Sequence, residues 1–308
     1  MRTFIIRRLL LFIPTVFGVC SLVFAVLHLM PGDPVDMILG ETALPVDKEN
    51  LRVQLGLNDP LYIQYMKYIS RLLRGDFDRS IIMNRNEPVS DIIIERVPGT
   101  ILLAVCSLII AVSLGIPAGI IAALKRNTLT DYCITVLSLV GISMPNFWLG
   151  PLLIMLLSYQ FRIFPMPGEG GWMTVILPSI TLGTAMMAIL ARMTRSVFLE
   201  ILNRDFIIAA RARGLPEYRI ILKHALANGM IPLITIIGMQ IGGLFTGAII
   251  TETVFSWQGI GSLTIEAIQN RDYPVVQGCA LFIAITYVCV NLITDILYAA
   301  ADPRIKLE

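Results

Sequence analysis

The chain has 308 residues, of which 56% are apolar and only 15% charged, and its mean hydropathy is +0.76. A soluble domain carries about 25% charged residues and has too little core to hide this much apolar surface, so composition excludes that class and points to a membrane-embedded protein. The net charge of +2, with no basic run interleaved with aromatics, gives no sign of a nucleic-acid partner.

The first predicted element is Leu9–Met30, 22 residues without a formal charge. It exceeds the roughly 7–15 residues of a signal h-region, and no small-x-small site closes it, so it reads as a retained first span. Five further charge-free stretches reach the roughly 20 residues a helix needs to cross the hydrocarbon core: Pro98–Leu124, Tyr132–Phe161, Gly170–Ala191, Ala225–Thr251 and Tyr273–Thr294. The expected fold is therefore an all-α integral membrane protein with six transmembrane helices. Cys20, Cys106, Cys133, Cys279 and Cys289 all fall inside apolar runs, at no metal or disulfide spacing, and read as small apolar side chains.

Between the first two spans lies an insertion whose stretch LYIQYMKYISRLLR sets Leu61, Tyr65, Ile69 and Leu72 on one helical face. Packing against the spans is the plainer reading, and lying on the membrane surface the alternative. The expected organisation is residues 1–97 for the first span and this segment, then 98–300 for the other five helices. Lysines and arginines set the direction. Fourteen of them, at the N-terminus, at Lys125 and Arg126, between spans four and five, and in the tail, fall on one side, whereas the two short loops opposite carry only Arg162 and Arg271. Positive residues stay inside, so both termini and the fourth-to-fifth connection are expected in the cytoplasm and the insertion outside.

That connection, DFIIAARARGLPEY at Asp205–Tyr218, sets an arginine-bearing stretch broken by Gly214 and Pro216 between two long apolar runs. Arg204 to Lys223 contains seven formal charges, and burying them in lipid would cost on the order of 20 kcal/mol, so this window must stay in water. Phe206–Arg213 lacks breakers and is rich in Ala and Arg, good helix formers. Gly214 suits the left-handed position past a helix end and Pro216 the first turn of the next helix. An ordinary connector would look similar. The composition argues for more, because Ala209, Ala210 and Ala212 form a low-profile surface, Ile207 and Ile208 stand out as apolar knobs, and arginines ring them.

Here the sequence resembles the inner-membrane permease subunits of binding-protein-dependent bacterial ABC importers, in the peptide/nickel group. Ala209, Ala210 and Gly214 match the family's cytoplasmic Glu-Ala-Ala…Gly signature, with Ile208 where the Glu would be. Ala210–Pro232 follows the group's ARARGL…KHAL.N..IP pattern. Further matches are PGDP at Pro31–Pro34, QLGLNDPLYIQY at Gln54–Tyr65, SMPNFWLG at Ser143–Gly150, ETVFSWQGIG at Glu252–Gly261, RDYPVVQG at Arg271–Gly278 and DPRI at Asp302–Ile305. Asp78 and Gln258 depart from the glycine and proline usual at their positions. The resemblance implies the ABC importer type-1 transmembrane fold, in the bacterial inner membrane, within lipid. It implies three kinds of protein partner: a second, homologous permease, two cytoplasmic ATPases, and an extracytoplasmic substrate-binding protein. It also makes the loop at about 199–223 a coupling helix docked on an ATPase, through Asp205, Ile208, Ala209, Ala210, Arg213, Gly214, Leu215 and Pro216. The chain carries no phosphate-cradling GxxxxGK[ST], so ATP and Mg belong to the ATPase partners, this chain binds no cofactor or metal, and it is not itself an enzyme.

Candidate pathway or gate residues are Met144 and Asn146 at a break in span three, Gln240, Gly243 and Gly247 in span five, and Glu252 at that span's outer end. Glycine spacing in span five, Gly238, Gly242, Gly243 and Gly247, suits close helix contact first and a widened cavity second. Glu252 is expected as a solvated interfacial carboxylate, and Asp295 as either functional or paired with an arginine at the inner end. The stretch TVFSWQGIGSLTIEAIQNRDYP is expected to form an interfacial or re-entrant helix. The expected function is a pathway-forming permease subunit for di- or oligopeptides, with nickel-chelate or glutathione uptake as alternatives. An ion-coupled secondary transporter would need ionisable groups at the span centres, which carry none. A membrane-embedded enzyme would need a Ser-His pair or zinc motif that His28 and His224 cannot supply.

Overall fold

The computed structural model describes residues 2–29, 35, 39, 42–83 and 86–301, without the side chains of residues 2–9, 11–12, 26–29, 51, 54–55, 245–246 and 295–301. The PGDP and DPRI motifs and the Asp295 side chain lie outside that set. The named elements among the described residues are all helical, and a single antiparallel bridge joins Arg79 and Pro88. The chain divides into two compact units: residues 99–258 with 289–308, and residues 2–98 with 259–288.

The unit holding the N-terminal residues contains α1 (Arg2–Leu29), α2 (Pro45–Leu55), α3 (Leu61–Leu73) and α10 (Ile260–Gln269). Helix α3 packs on α1 through Tyr65, one member of its expected apolar face: the Tyr65 and Ser21 hydroxyls are 2.6 Å apart, and Phe24 sits 5.2 Å from the Tyr65 ring and 5.6 Å from Tyr68. Leu61 stays exposed, so Tyr68 takes up part of the role expected of that face. The segment predicted to be interfacial does form a helix, α10. It packs into a core, where Ile260, Leu263 and Ala267 join Val89, Ile92, Ile93, Val275 and Cys279.

The other unit is organised around α7 (Ile176–Ile201), along which every third or fourth residue is buried, from Leu177 and Leu182 through Met186 and Leu190 to Phe198. The part of α4 (Val89–Leu124) in this unit runs parallel to α7, with Gly183 facing the Ser107 carbonyl and Gly115 and Gly119 facing Met187 and Ala191. Missing side chains at Gly115 and Gly119 let the two backbones touch, as small residues four apart do between membrane helices. Helix α5 (Leu129–Ser143) runs antiparallel to α7, with Asp131 at Arg195 and Gly141 at Ala188. Helix α9 (Leu226–Val254) is also antiparallel to it, Gly229 lying by Phe198 and Gly247 by Leu182.

Among the described residues, four helices are long and apolar enough to cross a membrane: Val89–Leu124, Trp172–Ile201, Glu217–Leu244 and Tyr273–Thr294, the last within α11 (Tyr273–Ala301). The stretch expected as a single third span is broken. Helix α5 ends at Ser143, Met144 and Pro145 are extended, and α6 (Asn146–Leu153) continues as a π-helix to Gln160 at 106° to α5. Proline forces this, because it disfavours the helical region for the residue before it. Counting that pair as one span gives five; α1 adds a further helix of 28 residues whose apolar described part is Ile13–Ala25.

Candidate functional site: a charged elbow and a broken helix

Helix α8 (Asp205–Ala212) leaves α7 through the three residues Leu202, Asn203 and Arg204 and stops where sequence predicted. Gly214 is left-handed at φ +76°. The Leu215 amide donates to the Ala210 carbonyl at 3.3 Å and the Gly214 amide to that of Arg211 at 2.9 Å, the pair of bonds that closes a Schellman stop. Pro216 stands one residue earlier than expected, as the extended residue preceding the next turn, Glu217–Arg219. Arg211 braces the bend through Glu217, with Nε donating to Oε1 at 2.8 Å. Asp205 in the first turn and Arg211 in the last both complement the helix dipole. A π-helix, Ile220–Ala225, then leads into α9.

The elbow is seated rather than loose. Ile207 is fully buried and Ala210 is 7% exposed, and both enter a cluster with Ala123, Phe198, Ile201, Ile220 and Ala225, against which Leu215 also packs. This corrects two readings: Ile207 is no outer knob, and Ala210 is turned inward; Leu215 is half-buried against the same cluster. In an eight-residue helix, positions three apart share a face, and Ile207 and Ala210 define the inward one. The outward face is Phe206, Ile208, Ala209, Ala212 and Arg213, with Ile208 55% exposed. The same end of this unit carries Lys125 and Arg126, just past Ala123 in the chain.

Of the candidate pathway residues, Asn146 and Gly247 are brought together. A β-carbon added to Gly247 would lie 3.3 Å from Asn146 Nδ2 and 2.9 Å from Leu182. Gly238 meets Thr294 so closely that an added β-carbon would overlap it, whereas Gly243 is exposed with nothing within 4 Å. Gly238 and Gly247 thus make close contacts of the kind expected in this helix, and Gly243 does not. Gln240 is half-buried and its Nε2 has no partner among the described residues. Glu252 overturns its expectation of solvation: it is fully buried and accepts a 2.7 Å hydrogen bond from Thr100 Oγ1. Close by, Trp257 Nε1 donates to the Gly99 carbonyl at 2.9 Å.

Two carboxylates escaped sequence reasoning. Asp131 accepts bidentate hydrogen bonds from Arg195, 2.6 Å from Nε and 2.8 Å from a terminal nitrogen, and its side chain is 3% exposed. The only hint was an acid opening one apolar run and an arginine closing another. In the other unit, Asp272 is fully buried and accepts from Ser80 Oγ at 2.6 Å and from the amides of Ile81, Ile82 and Met83 at 3.0–3.2 Å. It holds the turn of the 79–88 hairpin.

Residues 115–307 match the family of binding-protein-dependent transport system inner membrane components, and residues 1–104 match the N-terminal region of such membrane components. The chain is 42% identical to the dipeptide transport system permease protein DppB of Escherichia coli K12, over 99% of each chain. It is 43% identical to the glutathione transport system permease protein GsiC of the same strain over the whole of both. Among solved structures, 68% of the chain matches 96% of a chain from the inward-facing MetNI methionine ABC transporter, with a TM-score of 0.54 and 16% identity, a likeness of fold alone. Broken span, seated elbow and full-length likeness agree with the motifs: the chain belongs to the inner membrane components of binding-protein-dependent transport systems.

Proposed function

We propose that this chain is one of two permease subunits that together form the route by which an ATP-driven importer takes small peptides across the cytoplasmic membrane. The observation that carries the proposal is the elbow, a charged helix with an apolar inner seam locked onto the feet of α7 and α9 and an apolar-and-arginine face left open. Such a face suits a groove on a cytoplasmic ATPase, with Asp205, Ile208, Ala209 and Arg213 as contacts. Gly214 and Pro216 shape the bend, and Ala210 and Leu215 hold it in place.

In this reading six helices cross the membrane, both termini and the elbow are cytoplasmic, and the 31–97 segment lies outside, near the substrate-binding protein. ATP and Mg bind the two ATPase partners. Their closure draws the elbows together and turns the pathway from inward-open to outward-open, so that affinity for the released substrate changes between two states of one bundle. The break at Met144–Asn146, lying on Gly247, is the segment best placed to move as a gate. Small peptides are the substrate class favoured by the names of the relatives, since a dipeptide and glutathione share a peptide backbone with two charged ends.

The test is reconstitution with the partner permease, ATPases and binding protein in proteoliposomes, measuring uptake of labelled dipeptide and of glutathione beside ATP hydrolysis. Ile208→Asp is expected to abolish uptake and its stimulation of hydrolysis. Wild-type uptake by that variant rejects the docking role. A cysteine at Arg213 that reacts with an impermeant reagent only from outside intact cells rejects the orientation.

A further inference from the structure

The docking elbow explains how α7 and α9 would be moved, but not how α5 follows. Helix α5 is continuous with the Met144–Asn146 break, yet it is not part of the cluster that seats the elbow. Its link to α7 at the elbow's end is polar. Arg195 stands one helical turn before Phe198, the residue that anchors the elbow's seat, and grips Asp131 through two parallel hydrogen bonds. The Asp131 carboxylate also accepts from the Asn127 amide at 3.0 Å, where Asn127 takes a left-handed conformation at φ +62°, so the same group fixes the turn between α4 and α5.

At its other end α5 lies on α7 through Gly141 and Ala188, then gives way to Asn146 beside Gly247. Charge-assisted, bidentate arginine–carboxylate pairs fix orientation as well as distance, which a sliding apolar contact does not. From this we infer that Asp131 and Arg195 are positioning residues that carry the elbow's displacement from α7 into α5, and through α5 to the Met144–Asn146 gate. The inference rests on the docking role proposed above for the elbow.

The experiment uses the complete reconstituted transporter and three variants: Asp131→Asn, the neutral pair Asp131→Asn with Arg195→Gln, and the conservative Arg195→Lys. Readouts are binding-protein-stimulated ATP hydrolysis, uptake per ATP, and the ATP-dependent change at a spin label on Val136, an exposed residue of α5. A second label replaces Tyr218, an exposed residue of the turn that follows the elbow and not one of its docking contacts. In both charge-removed variants the Tyr218 label should still respond to ATP, the Val136 label should not, and uptake per ATP should fall about tenfold, within the range usual for coupling between sites. Arg195→Lys, which keeps the charge but not the fork, should recover part of the ratio.

A neutral pair with full uptake per ATP and a normal Val136 response overturns the inference, even if Asp131→Asn alone fails to assemble. If the Tyr218 label never responds in the otherwise wild-type transporter, the docking reading fails instead. Response at Tyr218 with an intact Val136 response in the neutral pair rejects only the strut.

Discussion

The contact between α4 and α7 rests on absent side chains, and Gly119→Ala tests it quantitatively. An added methyl would overlap the Ala191 carbonyl oxygen and stand 2.5 Å from Thr194 Cβ and 3.0 Å from the Arg195 amide nitrogen. Ordinary contact begins at 3.4 Å, so even the Thr194 contact is short by about 0.9 Å, and two of the three atoms are backbone that cannot rotate away. Overpacking of this kind costs about 1–3 kcal/mol, and the backbone obstruction sets the value near the top of that range. Replacing glycine inside a helix returns about 0.5–1 kcal/mol. The net loss is about 2 kcal/mol, roughly a 30-fold change in the folded-to-unfolded ratio. Gly243→Ala is the control, because nothing lies within 4 Å there and only the helix-propensity gain applies. Unfolding of the isolated subunit in mixed micelles, titrated with denaturing detergent, should put Gly119→Ala clearly below wild type and Gly243→Ala level with it or above. Equal stability of the two variants would refute the close-contact reasoning.

The two isoleucines of the elbow should separate cleanly. Ile207→Ala removes a fully buried side chain and should cost about 2–5 kcal/mol in the same titration, whereas Ile208→Ala should cost about 0.5 kcal/mol or less and lower only uptake. Gly214→Ala meets no atom but forces a left-handed alanine, worth about 1–2 kcal/mol of strain, with Gly214→Asn milder; thermal melts of the purified subunit would show the order. Asp272→Ala removes the acceptor of one hydroxyl and three amides. Each such bond to a charged group is worth about 1.5–3 kcal/mol, so hydrogen exchange at Ile81, Ile82 and Met83 should accelerate strongly; unchanged protection would refute the clasp.

Sequence legibility followed the range of the interaction concerned. Where a feature depends on neighbours along the chain, it was readable: apolar runs long enough to cross lipid, the left-handed stop at Gly214, the amphipathic face of α3. The break at Met144–Pro145 was visible too, because proline acts on the residue before it, but its 106° angle depends on what α6 packs against. Which way α8 turns was hidden, since Ile207 and Ile208 are chemically identical and only Phe198 and Ile220 decide that the first faces inward. Glu252 was misjudged for a similar reason. A carboxylate at the end of an apolar run normally finds water, and Thr100, 152 residues away along the chain, supplies a hydrogen bond in its place. Asp131 and Arg195, 64 residues apart, each look like an ordinary span terminus until the antiparallel packing of α5 on α7 joins them.

The buried seam of the elbow has a mechanical consequence. Because Ile207 and Ala210 share one packed cluster with Phe198, Ile201 and Ile220, the handle has no slack relative to the bases of the two helices it joins. Under the docking role proposed above, a partner that grips it would shift those bases by the same distance, so its stroke would go into tilting long rods instead of bending a tether.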